Sequence, residues 1–202
     1  MRRVTKMALG IGIPVAVVLI TAVILISVSI KTVGRGEICV LLNKNNEPVN
    51  QKTYRKGVYF IGLVNHLSPA LPDKGKSILG AIQSQGETKP EHEYESEGDY
   101  VNAYVFFKYY IGENFTHRFF SENGYNMTAM DIPNVFTKAM MPVVRDLVSQ
   151  YKCSQISNEY ISQDTWCKWF AGNASVMIRQ QNLPFVLDED DPVRAVFFTG
   201  DC

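Results

Sequence analysis

The stretch YVNAYVFFKYYI, Tyr100–Ile111, is the clearest strand in the sequence and decides the fold class. Side chains along a strand alternate between two faces. The odd positions of this stretch can all serve as a core face: Val101, Ala103, Val105, Phe107, Tyr109 and Ile111. A run of β-branched and aromatic residues with this period predicts a strand whose odd face packs against the hydrophobic core.

The even positions of the same stretch form a second face that mixes aromatic and polar side chains. We expect a helix or a neighbouring subunit to cover it, with Tyr104, Phe106 and Tyr110 as the candidate interaction surface. The alternative is an aromatic and basic platform for nucleic acid. Only Lys108 supplies positive charge there, and the whole chain balances 20 basic against 20 acidic residues, so nucleic acid is not an expected partner.

Shorter strands are expected before Tyr100. Ile38–Leu42 and Thr53–Ile61 predict a hairpin over about 36–62, and 73–90 has the composition of a loop or an exposed edge strand. The interval of about 91–111 is predicted to be extended. Its first part places five acidic residues on one face, Glu91, Glu93, Glu95, Glu97 and Asp99. His92 would point to the opposite face, so a solvated acidic row is expected there and no metal site.

Beyond Gly124 the apolar period changes to three and four residues. This predicts helices over about 132–151 and 163–181, with Pro142 causing a kink or a broken start in the first. A terminal strand over about 185–198 follows, interrupted by an acidic turn. Residues 31–202 therefore predict one α+β domain of mostly antiparallel strands packed by two or more helices.

The N-terminus predicts a membrane anchor. After a short tail, 1–6, the 24 residues of 7–30 carry no charge. A helix of that length reaches about 36 Å, more than the ~30 Å hydrocarbon core of a bilayer. The expected anchor residues are Met7, Leu9, Ile11, Val17, Leu19, Ile24, Leu25 and Ile30. The basic tail predicts a single-pass protein with a cytoplasmic N-terminus and a periplasmic or otherwise non-cytoplasmic domain.

No catalytic motif is present in the sequence. Four cysteines lack a CxxC element, and the three histidines are scattered. A thiol hydrolase built from Cys153, Cys167 and His117 is an alternative without a local signature. We therefore expect no enzyme activity, no catalytic or metal-binding residues, no cofactor and no small-molecule substrate.

Four stretches, in order, resemble the SPFH (Band-7) family of stomatin, prohibitin, flotillin and the HflK/HflC proteins. They are TVGRGEICVLLNKNN at 32–46, YRKGVYFIG at 54–62, EGDYVNAYVFFKYYIGE at 97–113 and AMMPVVRDLVSQYKCSQI at 139–156. The layout is most similar to HflK/HflC or prohibitin. The resemblance departs from the family where Lys56 replaces a common proline, and where no heptad run for the usual C-terminal coiled coil is found.

The resemblance implies a non-enzymatic scaffold that assembles laterally and organises or modulates membrane proteins such as a membrane protease. The implied partners are the lipid bilayer, further copies of the chain and paralogous SPFH proteins. Arg145 and Asp146 complete the candidate interaction surface as a pair for a neighbouring subunit. The alternative is a monomeric membrane-tethered binding module for a protein partner, including a truncated viral or mobile-element copy that acts on a host assembly.

Overall fold

The computed structural model describes residues 2–94, 96–128, 130–158 and 160–200, with side chains from Val15 onward. The N-terminal half contains α1 (Arg2–Ser29), β1 (Ile30–Val33), β2 (Glu37–Leu42), β3 (Pro48–Tyr54), β4 (Gly57–Phe60), β5 (His66–Leu67), β6 (Leu71–Pro72) and β7 (Ile78–Glu87). The C-terminal half contains β8 (Tyr100–Ile111), a 3₁₀ turn (Glu113–Phe115), α2 (Thr116–Asn123), α3 (Asp131–Val148), α4 (Cys153–Ile156), α5 (Gln163–Gln180), β9 (Phe185–Leu187) and β10 (Val193–Gly200).

The main sheet is antiparallel and centres on β8. β7 pairs with one side of β8, while β10 and the short β9 pair with the other. Val105 lies between Ile82 of β7 and Val196 of β10, and all three are buried. The predicted α+β class with antiparallel strands is therefore confirmed.

One face of this sheet is closed by α3 and α5. Phe136 of α3 stacks on Tyr109, with ring centroids 3.5 Å apart, and meets Phe107 edge-on. Trp166 and Phe170 of α5 pack against Phe198 of β10. The residues of β8 on this face are the odd ones, as its sequence pattern predicts.

The two long helices lie close to their expected positions. Ser162 caps α5, because its hydroxyl accepts a hydrogen bond from the backbone N–H of Thr165 at 3.3 Å. Helix α3 begins at Asp131 and continues through Pro142 to Val148, so it is not broken there.

The N-terminal strands pair differently from the expected hairpin. β2 pairs with β3, whereas β4 pairs with β1, from Ile30 opposite Phe60 to Val33 opposite Gly57. β3 carries few apolar side chains, since its sequence is PVNQKTY, and hydrophobic periodicity gives no signal for it.

The acidic row expected on an extended chain does not form. Residues 91–94 and 96 lie in turns and bends, and β8 begins only at Tyr100, while Glu95 lies outside the described residues. The extended partner of β8 is instead β7, in the stretch expected to be a loop or an edge strand. Its alternate residues Gly80, Ile82, Ser84 and Gly86 face the helices.

The predicted transmembrane anchor over 7–30 is corrected by the structure. In the part of the chain that is described, no helix is both long enough and apolar enough to cross a membrane. Ile30 lies in β1, and the side chains of Met7, Leu9 and Ile11 lie outside the described residues. The single-pass localisation that rested on this anchor is therefore withdrawn.

A buried hydroxyl in the core gives a first prediction. The Tyr109 side chain is fully buried, and its hydroxyl has no hydrogen-bond partner among the described residues. Because an unsatisfied buried polar group is unfavourable, Tyr109→Phe should raise the free energy of unfolding by about 1 kcal/mol. Chemical denaturation followed by circular dichroism measures this change.

The matched control is Tyr104→Phe, which removes a hydroxyl that hydrogen-bonds Gln83 on the surface. This variant should change the free energy of unfolding by less than about 0.5 kcal/mol. A clear loss of stability in Tyr109→Phe would mean that the hydroxyl has a favourable partner after all.

Candidate interaction surfaces

The face of the main sheet opposite α3 and α5 carries no helix among the described residues. The even residues of β8 lie on it, together with the odd residues of β7 and alternate residues of β10. We call it the open face. Its members between the two ends are Leu79, Ala81, Gln83, Gln85, Asn102, Tyr104, Phe106, Ala195, Phe197 and Thr199.

The centre of the open face consists of two uncharged rows that run across the strands. One row is Gln83, Tyr104 and Phe197, and the other is Ala81, Phe106 and Ala195. The Gln83 amide donates to the Tyr104 hydroxyl at 3.1 Å, and the Phe106 and Phe197 rings meet edge-on at 6.2 Å. Phe197 is 53% exposed. The rows therefore form an ordered aromatic surface that remains accessible to solvent.

The two ends of the open face differ in charge, because one carries the acidic Glu87 and the other carries the ion pair of Lys108 and Asp188. Glu87 lies at one end, where its carboxylate accepts a hydrogen bond from the backbone N–H of Gly98 at 3.0 Å. Lys108 lies at the other end, with its Nζ 3.6 Å from an Asp188 carboxylate oxygen. The Ser77 hydroxyl donates to Asp188, and this hydrogen bond is the main reason why the pKa of Asp188 is lowered. Asp188 therefore stays ionised beside Lys108 at neutral pH.

The structure brings only part of the predicted interaction surface together. Tyr104 and Phe106 are half-buried on the open face, but Tyr110 is buried beside β9. Arg145 and Asp146 lie on α3, across the sheet, and neither forms a salt bridge with another described residue. The sequence analysis missed Phe197, although the apolar run of β10 contains two adjacent aromatic residues.

A second exposed apolar surface lies on the β1–β4 ribbon. Ile30 is paired with Phe60, and Thr32 with Val58, so these four side chains share one face of the ribbon. Phe60 is 73% and Val58 68% exposed, and the following turn adds exposed Leu63 and Val64. We call Ile30, Val58, Phe60, Leu63 and Val64 the ribbon patch. Three basic residues lie close to the patch in sequence: Lys31, Arg35 and Lys56. They are exposed, and they form no salt bridge with a described residue.

A cleft of about 680 Å³ lies between α5 and β9. Its charged residues already have partners within the chain. Glu189 binds Lys74 at 2.8 Å, Asp188 binds Ser77 and Lys108, and the Arg179 side chain donates to the Ser175 carbonyl. No set of an acid, a base and a nucleophile converges on the cleft among the described residues.

The thiols and histidines are also separated. Cys153 is disulfide-bonded, and burial raises the pKa of Cys39 to about 11 and also raises that of Cys167. Cys167 lies against β10, whereas His117 belongs to α2, which contacts β2 and β3. In the described part of the chain, no group of three or more His, Cys, Asp or Glu side chains could hold a metal ion.

No family model and no curated protein matches the chain. There is consequently no family evidence for the SPFH or Band-7 terms, or for the regulation of a protease that they implied. Membership of that family stays a prediction from the four sequence stretches.

The raised pKa of Cys39 gives a second prediction. At pH 8 its thiolate fraction is roughly 200-fold below that of an ordinary cysteine, so iodoacetamide should modify Cys39 at least that much more slowly in the native protein. The rate should increase about tenfold per pH unit until the pH approaches 11. Mass spectrometry of timed samples measures it, with the guanidinium-unfolded chain as the control. Fast modification of native Cys39 at pH 8 would contradict the assigned burial.

Proposed function

We propose that this chain is a non-enzymatic assembly protein that pairs with a second copy of itself through the open face. The observation that supports this most directly is the uncharged aromatic centre of an otherwise water-facing sheet side. Antiparallel sheets commonly expose one side to water, but that side is usually polar. Aromatic residues without charges are typical of the centre of protein interfaces.

The charges at the ends favour a second copy as the partner. An antiparallel two-fold arrangement of two open faces would place Glu87 of each copy over the Lys108 end of the other. The aromatic rows would then meet at the centre, with the two sheets about 10 Å apart. An interface of this kind is self-complementary, as a two-fold homodimer requires.

The competing class is a monomeric binding module that uses the same face for a different protein. Such a module would need the same exposed aromatic centre, but it would not need charges that complement those of a second copy. The oligomeric state of the full chain therefore separates the two classes.

The third prediction concerns Phe197→Glu. This change places a charge at the centre of the proposed dimer, where it would lose water and face its own copy. The dimer dissociation constant should increase at least about tenfold, which corresponds to 1.4 kcal/mol. Sedimentation equilibrium of the full chain in a density-matched mild detergent measures the constant.

The matched control is Val176→Glu, which changes a similarly exposed apolar side chain on α5, outside the open face. It should leave the dissociation constant within about twofold. A wild-type chain that is monomeric at about 100 μM would favour the monomeric module. Equal weakening by both variants would show that association does not depend on the open face.

We also propose that the ribbon patch contacts the surface of an anionic lipid layer, without a membrane span. The five apolar side chains of the patch are exposed, and three basic residues without a salt bridge to any described residue lie close by in sequence. Apolar side chains enter the interfacial zone of a bilayer favourably, and each nearby lysine or arginine adds about 1 kcal/mol on an anionic surface.

The fourth prediction uses an environment-sensitive nitrobenzoxadiazole probe on Val64→Cys in a Cys167→Ser background. Vesicles of phosphatidylcholine with phosphatidylglycerol should shift its emission to the blue, and vesicles of phosphatidylcholine alone should do so less. The control is the same probe on Val49→Cys, an exposed valine on β3 outside the ribbon patch. Equal responses at the two positions would contradict the proposal.

A further inference from the structure

The outer edge of β7 has free backbone groups. The N–H of Thr88 donates to Asp99 on the β8 side, whereas the N–H of Lys89 donates outward to the Tyr151 carbonyl at 2.8 Å. Because backbone direction alternates along a strand and the β7–β8 register has no bulge, the odd residues of β7 point outward. Leu79, Ala81, Gln83, Gln85 and Glu87 therefore direct their N–H and C=O groups away from the sheet, and these N–H groups donate to no other described residue.

The opposite edge of the sheet is protected. β10 has an irregular register between Val193 and Ala195, and the Gln163 side chain of α5 donates to the outward carbonyl of Val196 at 2.8 Å. Bulges and covering side chains are common ways to block strand addition. β7 has no bulge, no proline and no lysine over its ten residues. Only β7 thus combines length, regularity and a free edge within the main sheet as described.

Helix α3 adds side chains beside this edge. The Met141 carbonyl accepts a hydrogen bond from Ser84 at 3.1 Å, and a Cβ on Gly86 would lie 3.1 Å from the Arg145 carbonyl. The exposed positions Lys138, Met141 and Arg145 recur at three- and four-residue steps, so they form one stripe on the solvent side of α3, with Met141 nearest to the β7 edge. Met141 is 43% exposed, and neither cation forms a salt bridge with a described residue.

We propose that the β7 edge and this α3 stripe bind an extended acidic peptide segment of a partner protein by strand addition. The added strand would hydrogen-bond to the outward groups of β7. Alternate side chains of the added strand would face α3. The one beside Met141 would be apolar. The residues two positions before and after it would be acidic, so that Lys138 and Arg145 can pair with them. The partner pattern is thus acidic, any, apolar, any, acidic.

A second copy of β7 is a poorer occupant of this edge. Paired strands lie about 4.8 Å apart, and each β7 carries an α3 directly against its inner face. Two packed helices need 8–10 Å between their axes. A single extended segment brings no helix with it and therefore avoids this conflict.

The test uses the full chain and two fluorescein-labelled peptides, STDTLTETS and the charge-reversed STKTLTKTS. Fluorescence anisotropy should show the acidic peptide binding at least about tenfold more tightly than the basic one. The double variant Lys138→Glu and Arg145→Glu should reverse this preference. Both positions are exposed on α3, so the variant is expected to fold.

Gln83→Pro tests the strand edge itself. Proline removes an outward N–H that the β7–β8 ladder does not use, and its ring blocks an added strand. Binding of the acidic peptide should fall at least about tenfold, while Gln83→Thr, which keeps the N–H, should bind as the wild type does. Circular dichroism checks that both variants fold.

The outcomes separate this inference from the proposed dimer. Phe197→Glu should weaken dimerisation, and in samples dilute enough for both chains to be monomeric it should leave peptide affinity within about twofold of the wild type. Equal affinity for the two peptides, no binding of either, or an unchanged preference in the double charge variant would overturn the inference. Loss of self-association in Gln83→Pro but not in Gln83→Thr, without peptide binding, would also overturn it, in favour of a second copy at the edge.

Discussion

The stacking of Phe136 on Tyr109 fixes the helical layer to the main sheet, and the placement of the open face and of the β7 edge depends on it. The two ring planes differ by only 3°, and Phe185 and Phe107 meet Phe136 edge-on. The contact requires a bare backbone on the neighbouring strand, because a Cβ on Gly80 would lie 2.6 Å from the Phe136 ring. Helix α3 therefore packs closely against β7. One face of the sheet is covered by this packing, and the other face stays open.

This one-sided packing explains why part of the main sheet stays exposed among the described residues. α5 covers the edge of β10, but α3 lies beneath β7 and leaves its outer backbone groups free. Some of the charged side chains are held in ion pairs, as where Arg55 binds both Asp73 and Glu113. The described surfaces that remain exposed are aromatic, apolar or made of backbone groups, and these are the groups that the proposed protein and lipid partners would contact.

The sequence predicted the parts of the fold that have a strong hydrophobic period. β8 matched its alternating pattern, and α3 and α5 matched their three- and four-residue steps, because burial on one face imposes that period. β3 and β7 give no clear hydrophobic period, because polar residues and glycines interrupt it and pairing with a neighbour sets their place. The composition of 73–90 allowed a loop or an exposed edge strand, and β7 is an edge strand of the main sheet. Of the candidate surface, Tyr104 and Phe106 were predictable from β8 alone. Phe197 was not, because only strand pairing brings it beside them.

The open face and the β7 edge use different atoms of the same strand, which allows both to be occupied together. Side chains of Gln83 and its odd neighbours point toward the open face, while their backbone groups point out of the edge. A strand added to the edge would extend the open face by one row and present alternate side chains to whatever binds there. Extra contact area of this kind couples the two sites, and by linkage each ligand must then change the affinity for the other by the same factor. The composition of the row facing the open side therefore decides whether a bound segment strengthens or weakens assembly.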